Sequence, residues 1–312
     1  MTKSIFKNKN ILITGITGFI GSHLKKRLEE LGANVYGISR SAEKKNIFKA
    51  NIIDLSAIDK IFKKKNIAMC FHLAAESLVE LGQSDPYQTF KINTLGTLNI
   101  LEAARNNNIE KLIIASTSHV YGNSKLPFRE IYQPKPSRPY ETSKTCTDLL
   151  AQSYADTFNL PVLIPRFINI YGPGDLHTNR LIPKTINSIL HDQSPTMWGG
   201  SAVRDYLYID DAIDAYICLA KVAVEKVGRN RVFNFGSNNV ISVKDLMQKL
   251  IDLSKKDLKI QRIENGRENE IKAQYVSWTK AKRILGWQPK IDLDNGLQKT
   301  IKWYKDYLQK EI

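Results

Sequence analysis

Three residues carry the first chemical suggestion in this chain. Tyr140 and Lys144 stand in the run Tyr-Glu-Thr-Ser-Lys, and Thr117 lies upstream in Ser-Thr-Ser-His-Val-Tyr-Gly, residues 116–122. A tyrosine and a lysine four positions apart share one helical face, one turn from each other. An ammonium beside a phenol favours the phenolate and lowers its pKa, so Tyr140 becomes usable as an acid or base near neutrality. The Thr117 hydroxyl could hold the same substrate oxygen. A bare Tyr-x-x-x-Lys arises often by chance, so its meaning depends on the company it keeps.

That company is a glycine-rich turn. Thr-Gly-Ile-Thr-Gly-Phe-Ile-Gly, residues 14–21, falls between a predicted strand and a predicted helix. Gly15 permits the tight turn, Gly18 lets the backbone close on a pyrophosphate, and Gly21 lets the helix pack against the sheet with its amino end facing the phosphates. Thr17, Phe19 and Ile20 complete this dinucleotide-binding segment. At the end of the second strand, where an acidic residue commonly takes the ribose hydroxyl of NAD, the chain has Ser39 and Arg40. The missing carboxylate and the guanidinium, with Lys44 or Lys45 close by, favour the 2′-phosphate of NADP(H), with NAD(H) as the alternative. Asp54 and Leu55 after the third strand, and Leu73, Ala74 and Ala75 after the fourth, extend the cofactor side, the small residues letting backbone lie against the ligand. His72 reads as a packed strand-end histidine. Asn93, also on the cofactor side, reads as a brace for a neighbouring loop.

The elements that must position these residues alternate short β runs with helical periodicity, the pattern of βαβ units around a parallel sheet. Strands are predicted over 10–14, 34–38, 52–53, 69–73, 112–115 and 162–165, and helices over 19–31, 87–105 and 140–158. After residue 169 the pattern changes to loops rich in Gly and Pro between short helices. The expected fold is α/β: a Rossmann-type doubly wound parallel sheet over 1–169, with a smaller C-terminal α/β substrate lobe over 170–312 from which some segments return to the first domain. A ligand cleft belongs where the lobes meet, at the carboxyl ends of the strands.

Bulk properties narrow the function further. Cys70, Cys146 and Cys218 are far apart and form no CxxC pair, which argues against a disulfide framework or a metal site and for a reducing compartment. With no signal-peptide pattern and no bilayer-length apolar run, the expected location is cytoplasmic, without a membrane partner. The net charge of +15 is spread over scattered lysines. No basic stripe or nucleic-acid motif accompanies it, so a polyanionic small ligand accounts for it better than nucleic acid.

Taken in order, the motifs identify a family. The chain resembles the extended short-chain dehydrogenase/reductases, in particular their nucleotide-sugar epimerase/dehydratase branch. The matching segments are TGITGFIG, HLAA, NTLGTLN from Asn93, STSHVYG, YETSK, RFINIYGPG from Arg166, RDYLYIDDA from Arg204, FNFGS from Phe233 and LGWQP from Leu285. The resemblance implies Tyr140 as catalytic acid/base, Lys144 as its partner on the nicotinamide ribose, Thr117 as third member and Ile168 at the cofactor. It also implies a nucleotide-diphosphate sugar held by Thr117, Ser118, His119, Asn169, Arg204 and Arg267, with Arg180 near the nucleotide. Forked guanidinium hydrogen bonds suit a diphosphate; a surface ion pair is the alternative for each arginine. A homodimer through the helices around 87–105 and 140–158 is implied too.

Members of the family act at sugar carbon four and then diverge. Dehydratases of this branch follow the catalytic Thr with acidic residues, and here those places hold Ser118 and His119. That departure, with the Ser39–Arg40 pair, favours a 4-keto-sugar reductase or a 4-epimerase over a 4,6-dehydratase. A non-catalytic NADP(H)-binding protein fits least, because the acid/base pair is intact.

Overall fold

Parallel strands buried on both faces read as continuous apolar runs, and the first half of this chain supplies them. A computed structural model describes residues 5–41, 43–263 and 271–311. Among these residues, eight parallel strands form the main sheet: β1 (Asn10–Thr14), β2 (Asn34–Ser39), β3 (Ile47–Lys49), β4 (Met69–His72), β5 (Lys111–Ile114), β6 (Ser116–Thr117), β7 (Val162–Phe167) and one strand returning from the second half. Between them, β8 (Asn169–Tyr171), β9 (Thr196–Trp198) and β10 (Val203–Tyr208) belong to smaller sheets, and β11 (Val232–Phe235) is the returning strand. The order is β11-β7-β5-β4-β1-β2-β3, with β6 beside β7. Strand order reverses between β1 and β4, and there β1 runs straight into the glycine-rich turn.

Successive side chains of a strand point to opposite faces, and the sheet sorts them accordingly. Ile11, Ile13, Phe71, Ile113 and Leu163 join one apolar cluster. Leu12, Cys70, Leu112, Ile114 and Val162 join the other. The helices Phe19–Glu30 and Pro139–Phe158 lie where the periodicity predicts them, and a further helix spans Leu55–Lys65.

Two expectations need correction. The third strand is Ile47–Lys49, not 52–53. Residues 51–54 form a turn, in which Asp54 N–H reaches Asn51 O, and Ile52 fills the space beside Gly96, where an added Cβ would come within 2.5 Å of its Cδ1. The helix over 87–105 is continuous from 86 to 106 but carries a π turn at Lys91–Leu95, so its two halves present different faces.

The second half builds a smaller sheet of β12 (Val240–Ser242), β10 and β14 (Ala273–Gln274), with β8 beside β10, and a two-stranded pair of β9 with β13 (Gln261–Ile263). β11 returns to pair with β7. The chain thus leaves the main sheet at β7 and enters the small sheet at β8 two residues later, so that Asn169 and Arg204 line the same opening as Thr117 of β6.

Candidate active site

A cleft of about 440 Å³ lies between the main sheet and the smaller lobe. Its walls include Phe19, Ile20, Leu73 and Ala75 from the sheet side, and Ile168, Asn169 and Arg204 from the lobe side. Thr117, His119, Tyr140 and Lys144 meet at its floor.

The glycine turn has the shape a dinucleotide requires. Gly15 has φ +71°, and a Cβ there would press on the backbone of Ala74 at 3.0 Å. A Cβ on Gly21 would come within 2.1 Å of Gly15 O, so only glycine lets the helix Phe19–Glu30 start this close to β1. Beneath the turn, the Thr14 hydroxyl accepts the N–H groups of Leu73 and Ala74, each at 3.1 Å. Its proton then goes to His72 Nδ1 at 2.8 Å, and His72 Nε2 donates to Thr97 at 3.0 Å. Burial lowers the pKa of this imidazole to about 3, with help from the Lys144 charge. His72 is therefore a neutral structural strut, as the sequence suggested.

Lys144 is buried, and its ammonium donates to Ala115 O at 2.6 Å. Burial lowers its pKa to about 8, while the nearby carboxylate of Asp148 pushes it back up. Tyr140 behaves differently from expectation. Its phenol is pushed up to about 12 by burial; the hydrogen bond with Thr117 and the charge of Arg180 pull it down by less. Desolvation outweighs the Arg180 charge, so the phenol of Tyr140 is held protonated near neutrality in this structure.

The remaining candidates fall into place unequally. Asn93 is 1% exposed, and its amide is fully used: Oδ1 accepts from Glu76 N at 2.7 Å, and Nδ2 donates to Glu76 O and Ser143 Oγ. It braces the loop over the cofactor side and does not reach the ligand space. Asp54 spends a carboxylate oxygen capping the helix Leu55–Lys65 through Ala57 N, and Asp54 and Leu55 are exposed at the sheet edge. Ser39 is buried against Ser41, whereas Arg40 is exposed. Ser118 is buried and does not line the cleft, because the tight turn Ser118–Tyr121 brings His119 there instead. Arg180 donates to both oxygens of Asp175 at 3.0 and 3.1 Å and to Ser77 at 3.1 Å. Its charge is felt at Tyr140, so it stands at the reacting end of the cleft. Arg267 lies outside the described residues.

Sequence reasoning missed Glu141 and Asp148. Both are buried on the helix Pro139–Phe158, one beside Tyr140 and the other a turn past Lys144. A carboxylate three residues into a helix beginning Arg-Pro was the available signal for Glu141, since that position closes a capping box.

Comparison with known proteins agrees with this geometry. The profile of the NAD dependent epimerase/dehydratase family matches residues 11–236. Human dTDP-D-glucose 4,6-dehydratase is 30% identical over 96% of this chain and 90% of its own length. The structure of UDP-glucose 4-epimerase from Thermotoga maritima superposes with a TM-score of 0.90 at 29% identity, covering 96% of this chain and 99% of that one. That of UDP-glucuronic acid 4-epimerase from Bacillus cereus, in complex with UDP-glucuronic acid and NAD, gives 0.86 at 26% over 96% and 99%. The α/β fold, the glycine turn and the Tyr/Lys/Thr floor thus meet in one conclusion: this chain belongs to the NAD dependent epimerase/dehydratase family, the nucleotide-sugar branch of the extended short-chain dehydrogenase/reductases.

Proposed function

We propose that this protein moves a hydride at carbon four of a nucleotide-diphosphate sugar, as a 4-keto-sugar reductase or a 4-epimerase. The observation that carries this reading is that Thr117, Tyr140 and Lys144 line one cleft, Lys144 one helical turn past Tyr140, beside the glycine turn. When bound, a nicotinamide dinucleotide supplies the hydride donor or acceptor. Thr117 and Tyr140 hold the sugar oxygen, and Tyr140 delivers the proton that oxygen needs as it becomes a hydroxyl. Its raised pKa suits the delivering role. Lys144 offers positive charge to the tyrosinate left behind, and Asn169 and Arg204 offer polar contacts to the sugar diphosphate across the cleft.

NADP(H) is the favoured cofactor, because Arg40 stands exposed beside Ser39 with no carboxylate to meet a ribose hydroxyl. The NAD complex of the Bacillus cereus epimerase supports NAD(H) as the alternative. Titration of both cofactors decides this, and tighter binding of NAD⁺ would refute the NADP assignment. A homodimer through the helical faces is part of the same proposal: Tyr87, Leu149 and Phe158 are exposed at 72, 50 and 48%. Light scattering on the eluting protein should give twice the chain mass of 35.5 kDa.

A second reading, 4,6-dehydration, is favoured by the curated relatives that are dehydratases. A panel of UDP-, dTDP-, GDP- and CDP-hexoses with their 4-keto-6-deoxy derivatives, followed at 340 nm and by NMR, separates the two. NADPH consumption with a 4-keto sugar, or inversion at carbon four, is the expected result. Conversion of an unmodified sugar nucleotide to a 4-keto-6-deoxy product would establish the second reading.

A further inference from the structure

The smaller lobe meets the cleft with one face of its sheet. Along β10, alternation sends Arg204 and Tyr206 one way and Asp205 the other, where Ser237 Oγ donates to its carboxylate at 2.6 Å. Asn169 of β8 stands opposite Tyr206, and Gln274 of β14 stands opposite Arg204. Residues in register on parallel neighbours project to the same face, and Asn169, Arg204, Tyr206 and Gln274 all line the cleft. Gln274 is 2% exposed, and its Nε2 is buried with no hydrogen-bond partner among the described residues. Of the buried side-chain atoms in that condition among those residues, the ones in the cleft wall belong to His119, Glu141 and Gln274, and Gln274 is the one contributed by the smaller lobe. An amide N–H left unpaired in the interior is costly enough to need a reason. An apolar side chain of similar length would fill the same space without that cost, so the amide points to a ligand atom.

We propose that Gln274 is a substrate-binding residue that selects the sugar: its Nε2 donates to a hydroxyl oxygen of the hexose. The proposal rests on the nucleotide-sugar reading and deepens it. Roles along this face follow charge. Arg204 carries the cation that suits a diphosphate, and its neighbour on β14 carries a neutral donor that suits a neutral acceptor. Neighbouring strands lie about 4.8 Å apart, close to the separation of a β-phosphate from the nearer hydroxyl groups of the hexose it carries. The last torsion of a glutamine is soft, so a small rotation presents the donor to that oxygen. A bound hydroxyl pairs the amide N–H, whereas a deoxy carbon at the same place leaves it unpaired in a site that the ligand has closed to water. A site of this kind rejects the analogue more strongly than an apolar pocket rejects an extra methylene. Gln274 takes no part in proton or hydride transfer, so its effect lies in recognition.

The test is equilibrium binding, by calorimetry, to the full-length protein saturated with whichever of NADP⁺ and NAD⁺ binds more tightly. Tyr140→Phe is present in every arm to stop turnover. The tightest binder among UDP-glucose, dTDP-glucose, GDP-mannose and CDP-glucose is carried forward, with its 2-, 3- and 6-deoxy analogues and its bare nucleoside diphosphate. Gln274→Met keeps the length and loses the donor. It should weaken the nucleotide sugar about 20-fold and the nucleoside diphosphate by less than about twofold. With Gln274 in place, one deoxy analogue should bind about 20-fold more weakly than its parent sugar, and that difference should vanish in Gln274→Met. Melting curves confirm that the variant is folded, and Gln274→Leu replaces it if it is not. Unchanged affinity for the nucleotide sugar in folded Gln274→Met overturns the proposal. So does an equal loss for the bare nucleoside diphosphate, the absence of a penalty for any deoxy analogue, or a penalty that persists in the variant. Each of these leaves the nucleotide-sugar reading standing. If none of the four nucleotide sugars binds, that reading and this one fall together.

Discussion

Two buried carboxylates on one helix, Glu141 and Asp148, are treated in opposite ways. Asp148 has both oxygens saturated: Arg166 Nε and Nη2 donate at 2.8 Å each, Ser116 Oγ at 2.7 Å and Gln152 Nε2 at 2.7 Å. Glu141 has one oxygen with three donors and one with none. Burial costs a carboxylate several kcal/mol unless hydrogen bonds replace water, and a fully satisfied group has no capacity left for a ligand. The helix therefore has a back, where Asp148 ties Lys144's surroundings to β6 and β7, and a front, where Glu141, His119 and Tyr140 keep unmet capacity toward the cleft. On this helix the saturated carboxylate lies on the side that packs against the sheet, and the half-satisfied one lies beside the cleft.

The sharpest way to break this distinction is to remove function at the front while leaving packing intact. Tyr140→Phe should lower turnover about 10³-fold, roughly 4 kcal/mol of barrier, because one proton donor to the sugar oxygen is lost. The cofactor Kd, read by fluorescence titration, should stay within about threefold, since the glycine turn and Lys144 remain. A modest loss of turnover would mean that the phenol is not the proton donor.

At the back the expected loss is stability. Asp148→Asn leaves Arg166, 2% exposed, without its counter-charge, and orphaning a buried charge costs about 3 kcal/mol or more. Glu141→Gln keeps an acceptor for the Ser137 donors and should cost no more than about 1 kcal/mol. Urea unfolding of the two variants gives both numbers, and equal losses would erase the contrast between front and back.

Charge on Lys144 supplies the next measurement. Its pKa of about 8 means that the ammonium is present below that pH and lost above it. Activity that needs the ammonium should fall through a limb near pH 8. The stability sign is opposite: between about 8 and the ordinary lysine value of 10.5 the unfolded chain holds the proton and the folded one does not. Stability therefore rises with pH across that window, by at most about 1.4 kcal/mol per pH unit from this group. Because Asp148 pushes the ammonium's pKa up, Asp148→Asn should move the activity limb to lower pH by about one unit, whereas Glu141→Gln should leave it in place. A limb that stays put in Asp148→Asn would detach the back of the helix from the reaction.

What the sequence revealed follows the same division. The glycine turn and the Tyr–Lys spacing are local, set by a few consecutive residues, and both appear in the structure where the pattern predicts them. Contacts between distant segments were not legible: Asp148 with Arg166 and Ser116, Glu141 with His119, and Arg180 with Ser77, 103 residues away, depend on how the strands are ordered. The misplaced third strand has a similar origin, since Ile52 and Ile53 have strand-like residue types but close a turn against Gly96. Tyr140 was misjudged because spacing reports the ammonium nearby and says nothing of how much water the phenol has lost. Burial is a property of the assembled molecule.

The smallest expected effect tests whether the back of the helix acts as a unit. The Ser116 hydroxyl is 7% exposed at its residue and gives Asp148 one of four hydrogen bonds. Ser116→Ala should cost about 1.5 kcal/mol, the usual worth of a hydrogen bond to a charged group. It should not shift the pH-8 limb by more than a few tenths, because the Asp148 charge remains. In the double variant Ser116→Ala with Asp148→Asn, the serine has no carboxylate left to serve, so the two losses should sum to less than additive by about 1 kcal/mol. Strict additivity in urea unfolding would show that Ser116 stabilises β6 independently of the carboxylate. The saturation of Asp148 would then be a matter of geometry without energetic coupling, and Glu141's unmet oxygen would lose its value as the contrasting case.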